Sequence, residues 1–527
     1  ATIGEAKRKK LREAISSGGS EVLKFYDDAV VFVTGASGFL GKQLVEKLLS
    51  STNVNKMYVL LRPLKGKNIE ERFKIIFDDP VYEFLRKEDP GFKNKIKPVE
   101  GDVSELNLGM DDKDWLRLTD EVNIIFHSAA TINFEDPVKK ATLTNIRGTR
   151  EILKLAKSCK QLKSIVHVST AYSNATISRI NGEVKEDFYT SPIQPDILIK
   201  LAENLREDKL ETMINTLMSD WPNSYTFTKA VTEDLVRTMA EDLPLCIVRP
   251  AIVVGAYKEP TAGWVDVKNA FGPSGLLLGV YLAVIRTILA RNDINIDYVP
   301  VDIVNNASIV AAHETFAKYN RADKETTIYT IASARNPLRF ELNFRVKCRF
   351  ADILNTSGRQ LVSPNAIWYC FTIITSYKRL YFLLFWLLHY IPAAIVDGIC
   401  VLIGVKPRLL KVYKLVSSLN GVFTYFMTNK WNFHDSNTLQ LYTQLSDVDK
   451  EVYHFNMADV DLQQLTLRWA FGVKKYIIKD DLKNSDYALK KQFWLKIAHY
   501  IIFPVYLFGL FSIVYFIVVL LGKLFIL

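Results

Sequence analysis

"VFVTGASGFLGKQLVEKLL", Val31 to Leu49, is an apolar run that breaks into small residues and then resumes with helical spacing. Gly35, Gly38 and Gly41 fall three apart, after Val31 to Val33 and before a helix whose apolar face is Leu44, Leu48 and Leu49. A turn this tight needs positive φ at one position and no Cβ where an anion meets the backbone, and glycine supplies both. The N–H groups opening the next helix then point at that anion. Three glycines alone are weak evidence, and a plain strand-turn-helix is the competing reading. The order of strand, turn and helix is the one a dinucleotide site requires. The residues expected to hold the dinucleotide here are Thr34, Gly35, Ser37, Gly38, Phe39, Leu40 and Gly41.

Outward from this turn, strand-like runs alternate with helical ones to about Ile331. They are Val31 to Val33, Met57 to Leu61, Ile96 to Val99, Asn123 to His127, Ser164 to Val168 and Leu245 to Val248. Such alternation predicts an α/β fold, a Rossmann-type doubly wound parallel sheet covered on both faces. Between Arg62 and Ile96 the chain is rich in charge (Lys65, Lys67, Arg72, Lys74, Arg86, Lys87, Lys93, Lys95), which reads as a solvated helical insertion. After about residue 350 the pattern turns aromatic and helix-like. The expected organisation is a basic N-terminal segment (1–29), a nucleotide-binding domain (30–350), a smaller, mainly helical C-terminal domain (351–485) and a terminal transmembrane helix (500–522).

Composition narrows the class. The chain has 527 residues, 49% hydrophobic, and a formal net charge of +10, which excludes a disordered or fibrous protein. The positive charge suits an anionic membrane surface or a polyanionic small molecule such as a coenzyme A thioester. Nucleic acid is not an expected partner, since no zinc-finger spacing occurs. Five cysteines, odd in number and without a CxxC pair, argue against a disulfide framework and a metal site. The start shows a basic cluster (Lys7, Arg8, Lys9, Lys10, Arg12) with no apolar core of a signal peptide after it. Ile501 to Leu521 carries no charge and matches the ~20 residues that span a bilayer. Lys490, Lys491 and Lys496 upstream form a basic flank of the cytosolic kind. A second apolar stretch, Leu380 to Val405, is interrupted by His389, Pro392 and Asp397; it reads as a membrane-surface or re-entrant segment, with a pair of short spans as the alternative.

The second strand tells which dinucleotide. An NAD site places an acid about 20 residues past the glycines, whereas "MYVLLRP" places Arg62 there, favouring the 2′-phosphate of NADPH. "GDV" adds Asp102 and Val103, the carboxylate being suited to the adenine amino group, and "HSAAT" adds Ser128, Ala129 and Ala130, small enough for the cofactor to approach. His127 reads as structural. In "HVSTAYSN", Ser169 and Thr170 end a strand; in "YTFTKA", Tyr225 and Lys229 lie four apart, on one face of a helix. A free phenol has a pKa of ~10, and a fixed ammonium nearby is expected to lower it, giving a proton donor for a developing alkoxide. YxxxK alone is common by chance; with the glycine turn, the strand-end Ser/Thr and "VRPAIVVG" (Val248 to Gly255) it is not.

"TGASGFLG", "HSAAT", "HVSTAYSN", "YTFTKA" and "VRPAIVVG" together resemble the extended short-chain dehydrogenase/reductases. "YKEPTAGWVD", "GPSGLLLGV", "YVPVDIVNNA" and "DVDLQQLTLRWAFGVKKYIIKDD" narrow the resemblance to alcohol-forming fatty acyl-CoA reductases, over roughly Phe25 to Asp481. The resemblance implies reduction of a long-chain acyl-CoA to a primary alcohol and free CoA with two NADPH, through a bound aldehyde, at a membrane. It matches Tyr225 and Lys229 to the catalytic pair and Thr170, or the adjoining Ser169, to the Ser/Thr partner; Lys229 would also hold the nicotinamide ribose, and Pro250 and Ile252 complete the cofactor set. The expected partners are the acyl-CoA and a membrane, with a homo-oligomer left open. The expected location is the endoplasmic reticulum membrane, or the peroxisomal membrane as the alternative, with the catalytic domain in the cytosol. Another membrane extended reductase, such as a hydroxysteroid dehydrogenase or an epimerase, would share Tyr225 and Lys229 but leave "GVKKYIIKDD" unexplained. A non-catalytic membrane-anchored nucleotide- or lipid-binding scaffold would typically have lost one of the pair.

Overall fold

Seven parallel strands form the sheet expected from the alternation: β1 (Val30–Thr34), β2 (Lys56–Leu61), β3 (Ile96–Glu100), β4 (Ile124–His127), β5 (Ser164–Val168), β6 (Leu245–Pro250) and β7 (Thr327–Ile331). They lie in the order β7-β6-β5-β4-β1-β2-β3. The structure is a computed structural model and describes residues 18–63, 66–267, 272–291, 293–339, 363–480 and 485–526, with Glu13 and Ser16. The basic cluster Lys7 to Arg12 and the stretch 340–362 lie outside the described residues. The central strands are continuous β-branched and aromatic runs because both their faces are covered. Strand order reverses between β1 and β4, where Thr34 pairs with His127. Ligands of such sheets bind outside the carboxyl ends of the strands at this reversal.

Five helices position the site. They are α1 (Phe39–Ser51), α2 (Ile69–Phe77), α3 (Gly148–Ser158), α4 (Ser224–Met239) and α5 (Val301–Asn320). α1 is fixed to α5 by Asn305 Nδ2, which donates to the Leu40 carbonyl at 2.9 Å and to Gln43 Oε1 at 2.6 Å. α2 starts with a capping box, the Asn68 side chain accepting from the Glu71 amide and Glu71 from the Asn68 amide. α4 is capped by Asn223, which accepts from the Thr226 amide at 2.9 Å, so the first turn that carries Tyr225 is held at its start. One apolar cluster joins Phe32, Ile125, Ile165 and Ile247 of the sheet to Ile152 and Leu155 of α3. A second joins Phe227, Val231 and Leu235 of α4 to Leu198 and Ile199.

The chain divides into two compact units, each discontinuous in sequence. One comprises 1–269, 291–341 and 421–472; the other 270–290, 342–420 and 473–527. Residues 421–472, assigned on sequence to the later helical domain, therefore group with the sheet, and 270–290 do not. In the sheet-bearing unit, Trp469 is fully buried with its ring 5.4 Å from that of Tyr298, and Asn432–Phe433 pairs with Glu183–Val184. In the other unit, Ile373–Thr375 pairs with Thr287–Leu289. Two helical segments there, Lys378–Leu402 and Asp486–Leu521, are long and apolar enough to cross a membrane. The second belongs to α6 (Ser485–Ile526), whose 42 residues extend about 63 Å, twice the hydrocarbon thickness of a bilayer. Its polar first half is tied within the unit, Lys491 Nζ donating to the Pro364 carbonyl at 2.7 Å and Gln492 Nε2 to the Trp368 carbonyl at 3.0 Å.

Gly472 packs backbone to backbone on Gly263, and a Cβ on it would overlap the Gly263 carbonyl oxygen and lie 2.6 Å from its carbon. Gly472→Ala is expected to lower the unfolding midpoint of detergent-solubilised protein by roughly 5 °C or more, through backbone displacement. An unchanged midpoint would show that the approach is not close.

Candidate active site

Where β1 turns into α1 the chain lies on itself. Gly35 has φ +79°, and a Cβ on it would come within 2.8 Å of both the Ala129 amide and Ser128 Oγ. A Cβ on Gly41 would overlap the Gly35 carbonyl and sit 2.7 Å from Ala36 Cα. These two glycines build the turn. Gly38, the N-cap of α1, makes no side-chain cap, so the first-turn amides of Phe39, Leu40 and Gly41 face outward as an anion site. The Ser128 hydroxyl donates to the Thr34 carbonyl at 2.8 Å, and the Ala129 amide to Thr34 Oγ1 at 3.3 Å. His127 spends both ring nitrogens on hydroxyls, Thr34 at 2.8 Å and Thr149 at 2.9 Å, and burial pushes it down to about 3, with Lys229 adding to the effect. It is a neutral brace beneath the turn.

Beside this cradle stand two arginines. Arg62, at the end of β2, is mostly exposed, with its guanidinium 3.8 Å from the Asp102 carboxylate. Asp102 itself holds the Ser104 amide at 3.0 Å and hydroxyl at 2.9 Å, and the Val103 carbonyl lies 2.7 Å from where a Gly148 Cβ would be, which fixes this loop on α3. Arg72 was expected among solvated charges and is instead buried, its Nη2 donating to Ser37 Oγ of the glycine turn at 3.4 Å. Burial first, and the nearby Arg62 second, push its guanidinium below the ordinary arginine value, while Asp102 opposes them. Its Nη1 is buried with no hydrogen-bond partner among the described residues. A buried, unsatisfied guanidinium is costly unless an anion meets it. The donor set fits the phosphates of a nicotinamide dinucleotide.

The third group gathers at the ends of β5 and β6. Tyr225 and Lys229 lie one turn apart on α4, and Thr170, just past β5, is placed where it draws the Tyr225 phenol down. Thr170 Oγ1 also reaches the Pro250 carbonyl at 3.3 Å. Ser169 does not face the phenol: its hydroxyl is committed to Glu233 at 2.5 Å. Ile252, past the end of β6, donates its amide to the Asp297 carbonyl at 2.9 Å. The expected lowering of the tyrosine by the lysine does not occur. Burial pushes Tyr225 up to about 12, with only Thr170 opposing, because Lys229 Nζ is turned onto the Val168 carbonyl at 2.7 Å. Lys229 is itself pushed down to about 8 by burial, against the pull of Glu233. Phe134 stands with its ring 5.6 Å from that of Tyr225 and 5.9 Å from that of Phe426, giving the phenol an apolar flank.

Comparison with known proteins gives this geometry a lineage. A family model described as Male sterility protein, an NAD-binding domain, matches residues 33–308, and a second of the same description, the Sterile domain, matches 388–480. Fatty acyl-CoA reductase wat of Drosophila melanogaster is 35% identical over 481 residues, 91% of this chain and 90% of that protein. The chain belongs to the fatty acyl-CoA reductase family. It is an oxidoreductase with a nicotinamide cofactor. Human fatty acyl-CoA reductase 1 is 32% identical, covering 89% of this chain and 88% of its own length, and mouse fatty acyl-CoA reductase 2 is 32% identical, covering 92% and 91%. Among solved structures, the terminal R domain of the myxalamid PKS-NRPS pathway aligns with TM-score 0.56 at 20% identity over 89% of this chain and 97% of that domain. The thiolation-reductase di-domain of an archaeal non-ribosomal peptide synthetase aligns with TM-score 0.50 at 16% identity over 91% and 81%. Both show the shared fold.

Sequence reasoning missed three residues of the enzyme's site. Arg72 was one charge among many. Asn145, whose Nδ2 donates to Thr228 Oγ1 at 3.0 Å and whose Oδ1 accepts from the Thr131 amide at 2.9 Å, sits in a π-helical turn, Thr142–Arg147, that periodicity does not reveal. Glu233 lies four residues past Lys229, a spacing that could have marked it.

Lys229 titrates lower in the fold than its ordinary 10.5, so between about 8 and 10.5 the unfolded chain binds more protons and stability rises with pH. Against Lys229→Met, which lacks this group, the wild type should therefore gain stability as pH rises through that window, read by urea unfolding in detergent. A pH-independent difference would show that the ammonium is not buried.

Proposed function

We propose that the enzyme reduces a long-chain fatty acyl-CoA to a primary alcohol and free CoA with two NADPH, through a bound aldehyde. The observation that carries this is the Tyr225 phenol, one turn from Lys229 on α4 and next to the strand end that bears Thr170, beside a glycine turn with two arginines. The cofactor would be held by the amides of Phe39, Leu40 and Gly41, by Arg62 and Arg72 at the 2′-phosphate, by Asp102 at the adenine and by Lys229 at the ribose. When bound, NADPH supplies hydride to the carbonyl carbon.

The chain's own groups do the rest. As the thioester carbonyl becomes a tetrahedral oxyanion, Tyr225 and Thr170 donate hydrogen bonds to it. The oxyanion collapses to an aldehyde, the carbon–sulfur bond breaks, and CoA leaves as a thiolate. In the second reduction the aldehyde oxygen takes the same place, and Tyr225 gives it a proton. A phenol pushed up to about 12 is fully protonated at neutral pH, which suits a donor. Phe134 and the exposed Ile132 on the same loop offer apolar surface to the first methylenes of the acyl chain. The two apolar helices support action at a membrane; the sheet-bearing unit is proposed to face the cytosol, where acyl-CoA and NADPH are available, with the endoplasmic reticulum as the proposed site.

Tyr225→Phe should keep NADPH affinity within about twofold yet lose turnover by roughly a hundredfold or more. Near-normal turnover in the purified variant would remove Tyr225 from the mechanism.

Arg72→Leu should raise the NADPH dissociation constant by about tenfold or more, the scale of a charge-assisted phosphate contact, and leave NADH nearly unchanged. Fluorescence titration with both cofactors decides it, and equal losses would show that Arg72 does not meet the 2′-phosphate.

A further inference from the structure

One carboxylate joins the three elements that carry the reacting groups. Glu233 lies on α4 one turn past Lys229 and two past Tyr225. Its Oε1 accepts from Ser169 Oγ at 2.5 Å, Ser173 Oγ at 3.0 Å and Arg249 Nε at 3.0 Å. Its Oε2 accepts from Arg249 Nη2 at 2.6 Å and Asn174 Nδ2 at 3.3 Å. The Arg249 and Glu233 side chains are 1% and 2% exposed, so water does not share these bonds. Arg249 is itself saturated, its Nη1 donating to the Lys185 carbonyl and its Nη2 to the Asp187 carbonyl, each at 2.9 Å.

We propose that Glu233, in its buried fork with Arg249, is the positioning residue of the active site: it holds the ends of β5 and β6, and with them Thr170, in register with Tyr225 and Lys229 on α4. This rests on the reaction proposed above and identifies what holds its groups in register. Tyr225 and Lys229 ride on α4, whereas Thr170 rides on the end of β5 and touches the end of β6. Glu233 grips Ser169, the residue before Thr170, and Arg249, the residue before Pro250, whose carbonyl accepts from Thr170. The ends of β5 and β6 are thus tied to α4 within one residue of Thr170 and of Pro250.

Charged and titratable groups lie toward Lys229 from α4 and from the strands packed against it. On α4 these are Glu233 and the neutral phenol of Tyr225. From β4 and β5 come His127 and His167, both pushed down by burial and hence uncharged. Arg249 of β6 shares the fork with Glu233 and offsets part of its charge. Glu233 alone favours the ammonium. Without it, Lys229 would lose its proton at lower pH.

The test is Glu233→Gln in the full-length, detergent-solubilised enzyme. The turnover number should fall about tenfold or more, with KM for acyl-CoA within about twofold. The alkaline limb of the turnover-pH profile should move toward acid by about one unit, a displacement that a merely loosened fold would not give. A folded variant with wild-type turnover and a wild-type alkaline limb would overturn the proposal. Should Glu233→Gln fail to fold, Glu233→Gln with Arg249→Met removes both buried charges together, a change that proteins tolerate better than one unpaired charge. Its turnover should fall likewise, with a smaller acid displacement of the alkaline limb because a positive charge is removed as well, and wild-type turnover with a wild-type limb would overturn the proposal. NADPH affinity against pH, measured by fluorescence without acyl-CoA, reads Lys229 independently of the reaction. Its weakening should also begin at lower pH in the variant, and coincident curves would count against Glu233. A wild type that binds NADPH but consumes none with any acyl-CoA would instead count against the reaction assigned above.

Discussion

Between Thr34 and Gly41 the chain passes so close to itself that neither Gly35 nor Gly41 has room for a methyl group. That approach places the start of α1 against the end of β1 and turns its unpaired amides toward the strand reversal of the sheet. Everything that acts on a cofactor is arranged around this point. Ser128 and Ala129 close the turn from β4, Arg72 reaches it from α2, and His127 braces it from below with two hydroxyl contacts. A side chain at either glycine would separate strand from helix and move all of these contacts at once.

Across the reversal, polar contacts between the ends of β5 and β6 and the helix α4 add to the apolar packing that seats α4. Such contacts are geometrically exacting, and each is costly to leave unmade. The same burial sets protonation: it keeps the Tyr225 phenol neutral and holds Lys229 near the pH at which its proton is shared with solvent. One physical cause, burial at the strand ends, thus moves the phenol up and the ammonium down.

Much of this was legible in the sequence because it depends on local pattern. Six strands announce themselves as apolar runs, since a parallel sheet buries both faces. β7, Thr327–Ile331, escaped notice because its apolar run is broken by threonines and it lies at the edge beside β6. The glycine turn, the Tyr225 and Lys229 spacing and Thr170 were readable for the same local reason. Arg72 was not, because nothing in a run of charges tells which one folds inward. The division of the chain was also hidden: Trp469 and Gly472 meet Tyr298 and Gly263 across some 170 to 210 residues, contacts that leave no mark in composition. The direction taken by Lys229 Nζ depends on the Val168 carbonyl, whose place only the assembled sheet determines.

The central claim is that one site carries out both reductions on the same acyl group. It is tested most directly by the ratio of NADPH oxidised to CoA thiol released when the purified enzyme turns over a long-chain acyl-CoA, with the product identified by mass spectrometry. The account predicts two NADPH per CoA and a primary alcohol. One NADPH per CoA with free aldehyde as the end product, or NADPH oxidation without release of CoA, would contradict it.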